Sequence, residues 1–228
     1  MKEQVKEQGC TLPDGVTAEE FEALKERYGA GKIKIAMLPK DEDGNEFMVI
    51  GVRVPDRKCL GEFEKWVDKD PNRAKEILVN ACVLSCKETV KAEDELFLGA
   101  FDAITKLIPV RVAIIKDLDG ILPEGISEAD IKALVERYGE RKVKIASLPK
   151  DDDGNEFMDV IVRVPDRKCL GEFEKWADKS PDKAKEILVN ACVLSKKEVV
   201  KADDGLFFGA FDAVTKLIPV RTAIVKNC

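Results

Sequence analysis

The feature that most constrains this chain is an internal duplication. Residues 12–116 align with residues 122–226 at an offset of 110; 29 of the 105 aligned positions differ and the other 76 are identical. A repeat of about a hundred residues is long enough to bury its own core, and two copies are fewer than a solenoid needs. We therefore predict two homologous domains, arranged as a pseudo-dimer, over residues 12–117 and 118–228, after a mobile N-terminal arm at residues 1–11.

Composition narrows the classes of function. The chain contains no histidine, which excludes Ser–His and Cys–His nucleophile pairs, a histidine general base and zinc sites with imidazole ligands. Its 38 lysine and arginine residues against 44 aspartate and glutamate residues give a net charge of −6, which argues against a nucleic-acid-binding protein. We expect no catalytic residues, cofactor or metal.

Hydropathy and cysteine usage bear on the compartment. No stretch approaches the ~18 consecutive apolar residues of a membrane span. The charged start of the chain lacks the apolar segment of a secretory signal. The seven cysteines are an odd number and lie mostly in apolar helical patterns. These patterns favour a reducing cytoplasm and predict no membrane association.

Each repeat begins with the signature of a helix followed by a β-hairpin. Thr17 with Glu20, and Ser127 with Asp130, have the spacing of a helix cap with its reciprocal acidic partner. The alternating segments 32–36 and 47–54 flank an Asp-Gly step and predict two antiparallel strands. The rest of the repeat favours about three packed helices, so the predicted fold class is α+β. Segment 110–115 fits either a third strand or a helical extension.

The acidic hairpin loops at residues 41–46 and 151–156 resemble calcium loops only superficially. The EF-hand pattern needs its first ligand five residues before the glycine, where this chain has Pro39 and Pro149. We interpret these loops as solvated turns. Cys82 and Cys86 share a helix face, but position 196 is lysine in the second copy, so buried packing is the better interpretation.

Basic residues cluster at one predicted helix N-terminus in each repeat, a position that suits an anion. Surface pairing with Asp56 and Glu62 is the favoured alternative. The anion-binding candidates are Arg53, Arg57, Lys58, Arg163, Arg167 and Lys168.

Four short motifs occur in one order in this chain. They are Glu-Arg-Tyr-Gly at 26–29, Arg-Val-Pro-Asp-Arg at 53–57, Asp-Pro-x-x-Ala-x-Glu-Ile-Leu-x-Asn-Ala-Cys at 70–82, and Asp-x-Leu-Phe-x-x-Ala at 94–100. In this order they resemble the tail assembly chaperones of tailed bacteriophages, which are small acidic morphogenesis proteins. One such unit would cover residues 18–116 and again 128–226.

The resemblance implies a non-enzymatic protein that binds an aggregation-prone tail component, such as the tape measure protein, through helical apolar surface. The implied location is the host cytoplasm. Carried over, the candidate partner-binding residues are Leu60, Phe63, Trp66, Phe97, Phe101, Leu170, Phe173, Trp176, Phe207 and Phe211.

Two other functions remain open at this point. Members of that family are usually single units, and a tandem of two also suits an auxiliary capsid or tail protein that stays in the virion and bridges two equivalent sites. Self-association is compatible with either function. A cytoplasmic enzyme using carboxylate, lysine or thiolate chemistry is the third hypothesis, although the sequence indicates no site for it.

Overall fold

A computed structural model describes residues 12–41, 45–109, 111–120, 122–151 and 155–219. The predicted arm at residues 1–11 and the tips of both acidic loops lie outside these ranges. The described part of the chain combines helices with two small antiparallel sheets, which confirms the α+β class. The chain divides into two compact units, Met1–Ile108 (unit 1) and Pro109–Cys228 (unit 2).

Unit 1 has a helix, a β-hairpin and four further helices. In order these are α1 (Ala18–Tyr28), β1 (Ile33–Pro39), β2 (Phe47–Arg53), α2 (Arg57–Val67), α3 (Pro71–Cys82), α4 (Lys87–Ala92) and α5 (Asp94–Thr105).

Unit 2 repeats this order and begins with an additional strand. Its elements are β3 (Ile114–Lys116), α6 (Glu128–Tyr138), β4 (Val143–Pro149), β5 (Phe157–Arg163), α7 (Arg167–Ala177), α8 (Pro181–Cys192), α9 (Lys197–Ala202) and α10 (Asp204–Lys216).

The predicted helix caps are present. The Thr17 hydroxyl accepts a hydrogen bond from the Glu20 backbone N–H at 3.2 Å, and the Glu20 carboxylate accepts one from the Thr17 backbone N–H at 2.9 Å. Ser127 and Asp130 repeat the arrangement in α6. Gly29 ends α1 with a φ of 91°, a conformation that glycine adopts without steric cost.

Both hairpins form as predicted and carry one side of each core. β1 and β2 pair from Ile33↔Arg53 to Pro39↔Phe47, and β4 and β5 pair in the same register. Inward-facing residues such as Ile50 and Val52 on β2 are fully buried. These two residues are two positions apart, so they lie on the same face of the strand.

The two helices after the hairpin begin at residues that favour a helix N-terminus. Asp56 caps α2 by accepting from the Cys59 N–H at 2.8 Å, and Pro71 occupies the first position of α3. The short helix α4 was not predicted, which leaves four helices here instead of three. The residue before it is Cys86 in unit 1 and Lys196 in unit 2, both left-handed with φ of 49° and 48°.

Segment 110–115 contributes the third strand, one of the two predicted alternatives. β3 pairs antiparallel with β4 from Ile114↔Ser147 to Lys116↔Ile145. This strand belongs to the first repeat by sequence, yet it lies in the compact unit formed by the second. The sequence repeat and the compact unit therefore end at different residues.

The cores are packed tightly enough for a single truncation to be costly. Leu188 on α8 is fully buried, whereas Leu122 is largely exposed. We expect Leu188→Ala to lower the free energy of unfolding by about 2–5 kcal/mol, because it removes apolar contacts and leaves a cavity.

Urea denaturation measures this difference, with Leu122→Ala as the matched control, for which we expect a change below about 1 kcal/mol. Equal losses in the two variants would contradict the packing described here.

Candidate functional site

An aromatic seam joins two helices in each unit. We define it in unit 1 as Phe63 and Trp66 on α2 with Phe101 on α5. The Phe63 and Phe101 rings have centroids 6.3 Å apart at an interplanar angle of 44°. All three side chains are half-buried, so each supports the core on one side and contributes apolar surface on the other.

The seam recurs in unit 2 with nearly the same geometry. Phe173 and Phe211 have centroids 6.3 Å apart at 38°, and Trp176 lies one helical turn from Phe173 on α7. These three side chains are also half-buried. The chain therefore carries two copies of one aromatic surface.

Basic side chains from the next helix lie over the seam. The Arg73 guanidinium is 3.5 Å from the centroid of Trp66, and the Lys75 ammonium is 5.9 Å from that of Phe101. Such cation–π contacts hold positive charge at the edge of an apolar surface.

Unit 2 repeats these contacts, with Lys183 3.2 Å from the centroid of Trp176 and Lys185 5.7 Å from that of Phe211. These cations were not predicted from the sequence. The signal was available, because both positions are basic in both copies.

The remaining predicted partner-binding residues do not form one surface. Leu60 is 4% exposed and Phe207 is 1% exposed, so both serve the core. Leu170 is half-buried beside Phe173. Phe97 is half-buried and, with the exposed Leu98, lines a cleft of about 390 Å³ between α3, α4 and α5.

The anion-binding candidates divide into two groups. Arg53 donates to the Ala81 carbonyl at 2.7 Å and to Asp56 at 2.7 Å, and Arg163 makes the same contacts with Ala191 and Asp166. Both guanidinium groups are thus engaged within their own unit, in the pairing that was favoured over anion binding. The other four candidates lie in the first turn of α2 or α7: Arg57, Lys58, Arg167 and Lys168.

The capping aspartates are held in their ionised form. The Cys169 backbone N–H, followed by the Arg163 guanidinium, holds the pKa of Asp166 below its usual value against the effect of burial. In unit 1, burial opposes ionisation of Asp56 more strongly. The Cys59 N–H and Arg53 nevertheless keep its pKa below the usual value.

Two buried cysteine pairs were not foreseen from the sequence. The Sγ atoms of Cys59 and Cys82 are 4.0 Å apart, and those of Cys169 and Cys192 are also 4.0 Å apart. Burial raises the pKa of Cys169 and raises that of Cys192 to about 12, so the second pair is protonated at neutral pH. Protonated, buried thiols are poor nucleophiles.

The acidic loops have the contacts of turns at their described ends. Asp41 accepts from the backbone N–H groups of Asn45 and Glu46 at 2.8 and 3.1 Å, and Asp151 repeats this in unit 2. Over the described ranges, no group of three or more cysteine, aspartate or glutamate residues is placed to hold a metal ion. Nor does any helix within them have the length and apolar character of a membrane span.

Comparisons with protein-family models, with curated proteins and with solved structures find no match to this chain.

The Arg163–Asp166 pair generates a pH-dependent prediction. Because the folded pKa of Asp166 lies below its unfolded value of about 3.9, its stabilisation is present above that value and is lost as the pH falls through the folded pKa. Asp166→Asn keeps a capping oxygen but removes the charge. We expect it to lose less stability between pH 7 and pH 3 than the wild type, as measured by urea unfolding.

Two further variants calibrate the result. Asp166→Ala removes the cap and is expected to cost about 1 kcal/mol at pH 7. The exposed Asp119→Asn should keep the wild-type pH dependence. An unchanged pH dependence in Asp166→Asn would contradict the lowered pKa assigned to Asp166.

Proposed function

We propose that this chain is a non-enzymatic bacteriophage morphogenesis protein that binds a structural protein of the phage tail, in the manner of a tail assembly chaperone. The observation that supports this most directly is the duplicated aromatic seam with its basic edge. The motif order that resembles phage tail assembly chaperones supplies the biological class.

The chemistry of the seam suits a helical partner. Half-buried aromatic rings offer apolar area that loses little conformational entropy when covered, which is why such rings are enriched at the centres of interfaces. Phe63 and Trp66 lie one helical turn apart on α2, and Phe101 on α5 packs beside Phe63, so the three rings favour the apolar face of an amphipathic helix laid across them.

The charge at the edge of the seam indicates which residues flank the apolar face of the partner helix. The protein as a whole carries a net charge of −6, but Arg73, Lys75, Lys183 and Lys185 make the edge of each seam positive. A partner helix with acidic residues beside its apolar face is attracted to the seam and repelled elsewhere. We therefore assign the partner as an acidic amphipathic segment of a tail protein, with the tape measure protein as the first to test.

Two seams on one chain increase the strength of capture. Binding at the first site places a second segment of the same partner near the second site, which raises the effective concentration without new contacts. The same duplication favours the second candidate, an auxiliary tail or capsid protein that bridges two equivalent sites in the virion. If the protein is retained in the particle, its place of action is the virion. If it is not retained, its place of action is the host cytoplasm.

Reversing the charge at the seam edge should weaken capture. We expect Lys75→Glu with Lys185→Glu to weaken binding about tenfold, or ~1.4 kcal/mol, and so to reduce the tape measure protein recovered in the soluble fraction on co-expression. The control is Lys132→Glu with Arg141→Glu, which changes the net charge equally at exposed positions of unit 2 away from the seam. Circular dichroism checks that both variants fold.

Equal loss in the two double variants would reject the seam as the binding surface. If the wild-type chain leaves every tail protein insoluble, the chaperone function fails. Quantitative proteomics of purified particles separates the two candidates, because a fixed ratio to capsid or tail protein would identify a virion subunit. Presence in the infected-cell lysate alone supports the chaperone.

A further inference from the structure

The two units differ at one sheet edge. In unit 2, β3 pairs with the outer edge of β4. In unit 1, no strand among the described residues pairs with the corresponding edge of β1. The other edge of that sheet is already engaged, because the Leu84 N–H donates to the Gly51 carbonyl at 2.8 Å and the Gly51 N–H donates to Ser85 Oγ at 3.0 Å.

The surface that β3 covers in unit 2 is open in unit 1. Met37 on β1 is 56% exposed, whereas its counterpart Ser147 on β4 is 1% exposed. Leu98 on α5 is 51% exposed, whereas its counterpart Phe208 is half-buried. An open strand edge beside exposed apolar side chains is a template for a further strand.

Three side-chain contacts hold β3 and its approach in place. The Ala113 N–H donates to Asp212 on α10 at 2.8 Å, and Lys216 donates to the Ala113 carbonyl at 3.0 Å. Arg111 donates to the Pro149 carbonyl at 2.9 Å. These contacts fix the start of the strand and its register against β4.

Unit 1 retains the same hydrogen-bonding groups. Asp102, Lys106 and Pro39 stand at the positions of Asp212, Lys216 and Pro149. The Asp102–Lys106 pair is already formed at 2.6 Å, as is the Asp212–Lys216 pair. The Asp102 side chain is 62% exposed against 32% for Asp212, as expected for a site without its strand.

The chain contains a second copy of the strand that this site accepts. Residues 220–226, which lie outside the described ranges, match residues 110–116 at five of seven positions. The two differences are Val112 to Thr222 and Ile115 to Val225, both between β-branched residues that favour strands.

We propose that segment 220–226 of one chain adds as an antiparallel strand to the β1 edge of a second copy of this chain. The register carried over from unit 2 places Ile224 opposite Met37 and Val225 opposite Ala36. The Ala223 N–H then donates to Asp102, and Arg221 reaches the Pro39 carbonyl. This self-association is independent of the phage function proposed above.

Side chains that differ between the units are compatible with this pairing. On the face shared by Ile114, Ser147 and Asp159, unit 1 has Met37 and Val49, so Ile224 would complete an apolar row across three strands. A Cβ at Gly205 would overlap the Arg111 guanidinium, and unit 1 has the exposed Glu95 in that position. In the proposed pairing the Arg221 side chain therefore shifts from the position that Arg111 has in unit 2, and Glu95 is its ion-pair partner.

The N-terminal arm is the competing occupant within the sequence. At the offset of the repeat, residues 1–6 correspond to residues 111–116, but only Lys6 is identical to its counterpart. The arm also lacks the arginine and the alanine that correspond to Arg111 and Ala113. The chemistry of the site therefore favours segment 220–226.

Each chain offers segment 220–226 as a donor and, within the described residues, the β1 edge as an acceptor, so two assemblies are possible. Reciprocal exchange between two copies closes a twofold dimer, whereas exchange in one direction builds a ring or an open chain.

Disulfide trapping between two differently labelled chains tests the proposal. One full-length chain carries Met37→Cys and the other Ile224→Cys, both with Cys10→Ser and Cys228→Ser. Residues directly opposite in an antiparallel pair have Cα atoms about 4.5–5.5 Å apart, within the range of a disulfide. After mixing and mild oxidation we expect a crosslinked dimer on a non-reducing gel, and neither chain alone should give it.

Two cysteine pairs control for folding and register. Ile114→Cys with Ser147→Cys, which face each other in unit 2, should form a disulfide within one chain. In the second control, one chain carries Met37→Cys and the other carries Val225→Cys, so the two thiols lie on opposite faces of the sheet. This pair should trap at least tenfold less dimer than Met37→Cys with Ile224→Cys. Light scattering of the wild type should show a mass that rises with concentration, and deletion of residues 220–228 should abolish that rise.

Several results would overturn the proposal. One is the absence of interchain crosslinking when the Ile114–Ser147 control succeeds. Another is a disulfide confined to a single chain, at every dilution, in a variant carrying both Met37→Cys and Ile224→Cys, because the segment would then occupy its own chain. A monomeric mass at all concentrations would also reject it.

Discussion

The backbone hydrogen-bonding requirement of a sheet edge is the constraint on which much of this structure depends. A two-stranded hairpin has two edges, and each unit engages one of them with the turn that follows α3 or α8. The remaining edge in unit 2 receives β3, and burial of Ser147, Pro149 and Ala213 accompanies it. Their counterparts in unit 1, Met37, Pro39 and Ala103, are more exposed, because no strand among the described residues pairs with this edge. Two nearly identical sequences thus acquire different surfaces through one short strand.

Local signals made much of the fold predictable. The Thr17 and Ser127 caps, the Asp56 cap and the Asp-Gly hairpin act over three to five residues, so spacing along the chain is sufficient to find them. Helix α4 was not predicted because it is only six residues long. It also begins after Cys86, or Lys196 in the second unit, in a left-handed backbone conformation that neither residue type indicates.

The candidate site was less predictable because its contacts are between distant residues. Helical spacing placed Phe63, Trp66 and Phe101 on apolar faces, but it did not separate them from Leu60 and Phe207, which the core buries completely. Burial depends on what packs against a face, and that information is not local. The cations over the rings and the cysteine pairs 23 residues apart were missed for the same reason.

Strand β3 also affects where this chain can be divided into parts. A cut after residue 117 follows the sequence repeat, but it would separate β3 from the sheet that it completes and leave β4 with a bare edge. A cut before residue 109 follows the compact units and keeps the three-stranded sheet whole. The sequence repeat and the compact unit are therefore offset, and we expect pieces of this protein that are cut along the second boundary to keep their sheets intact.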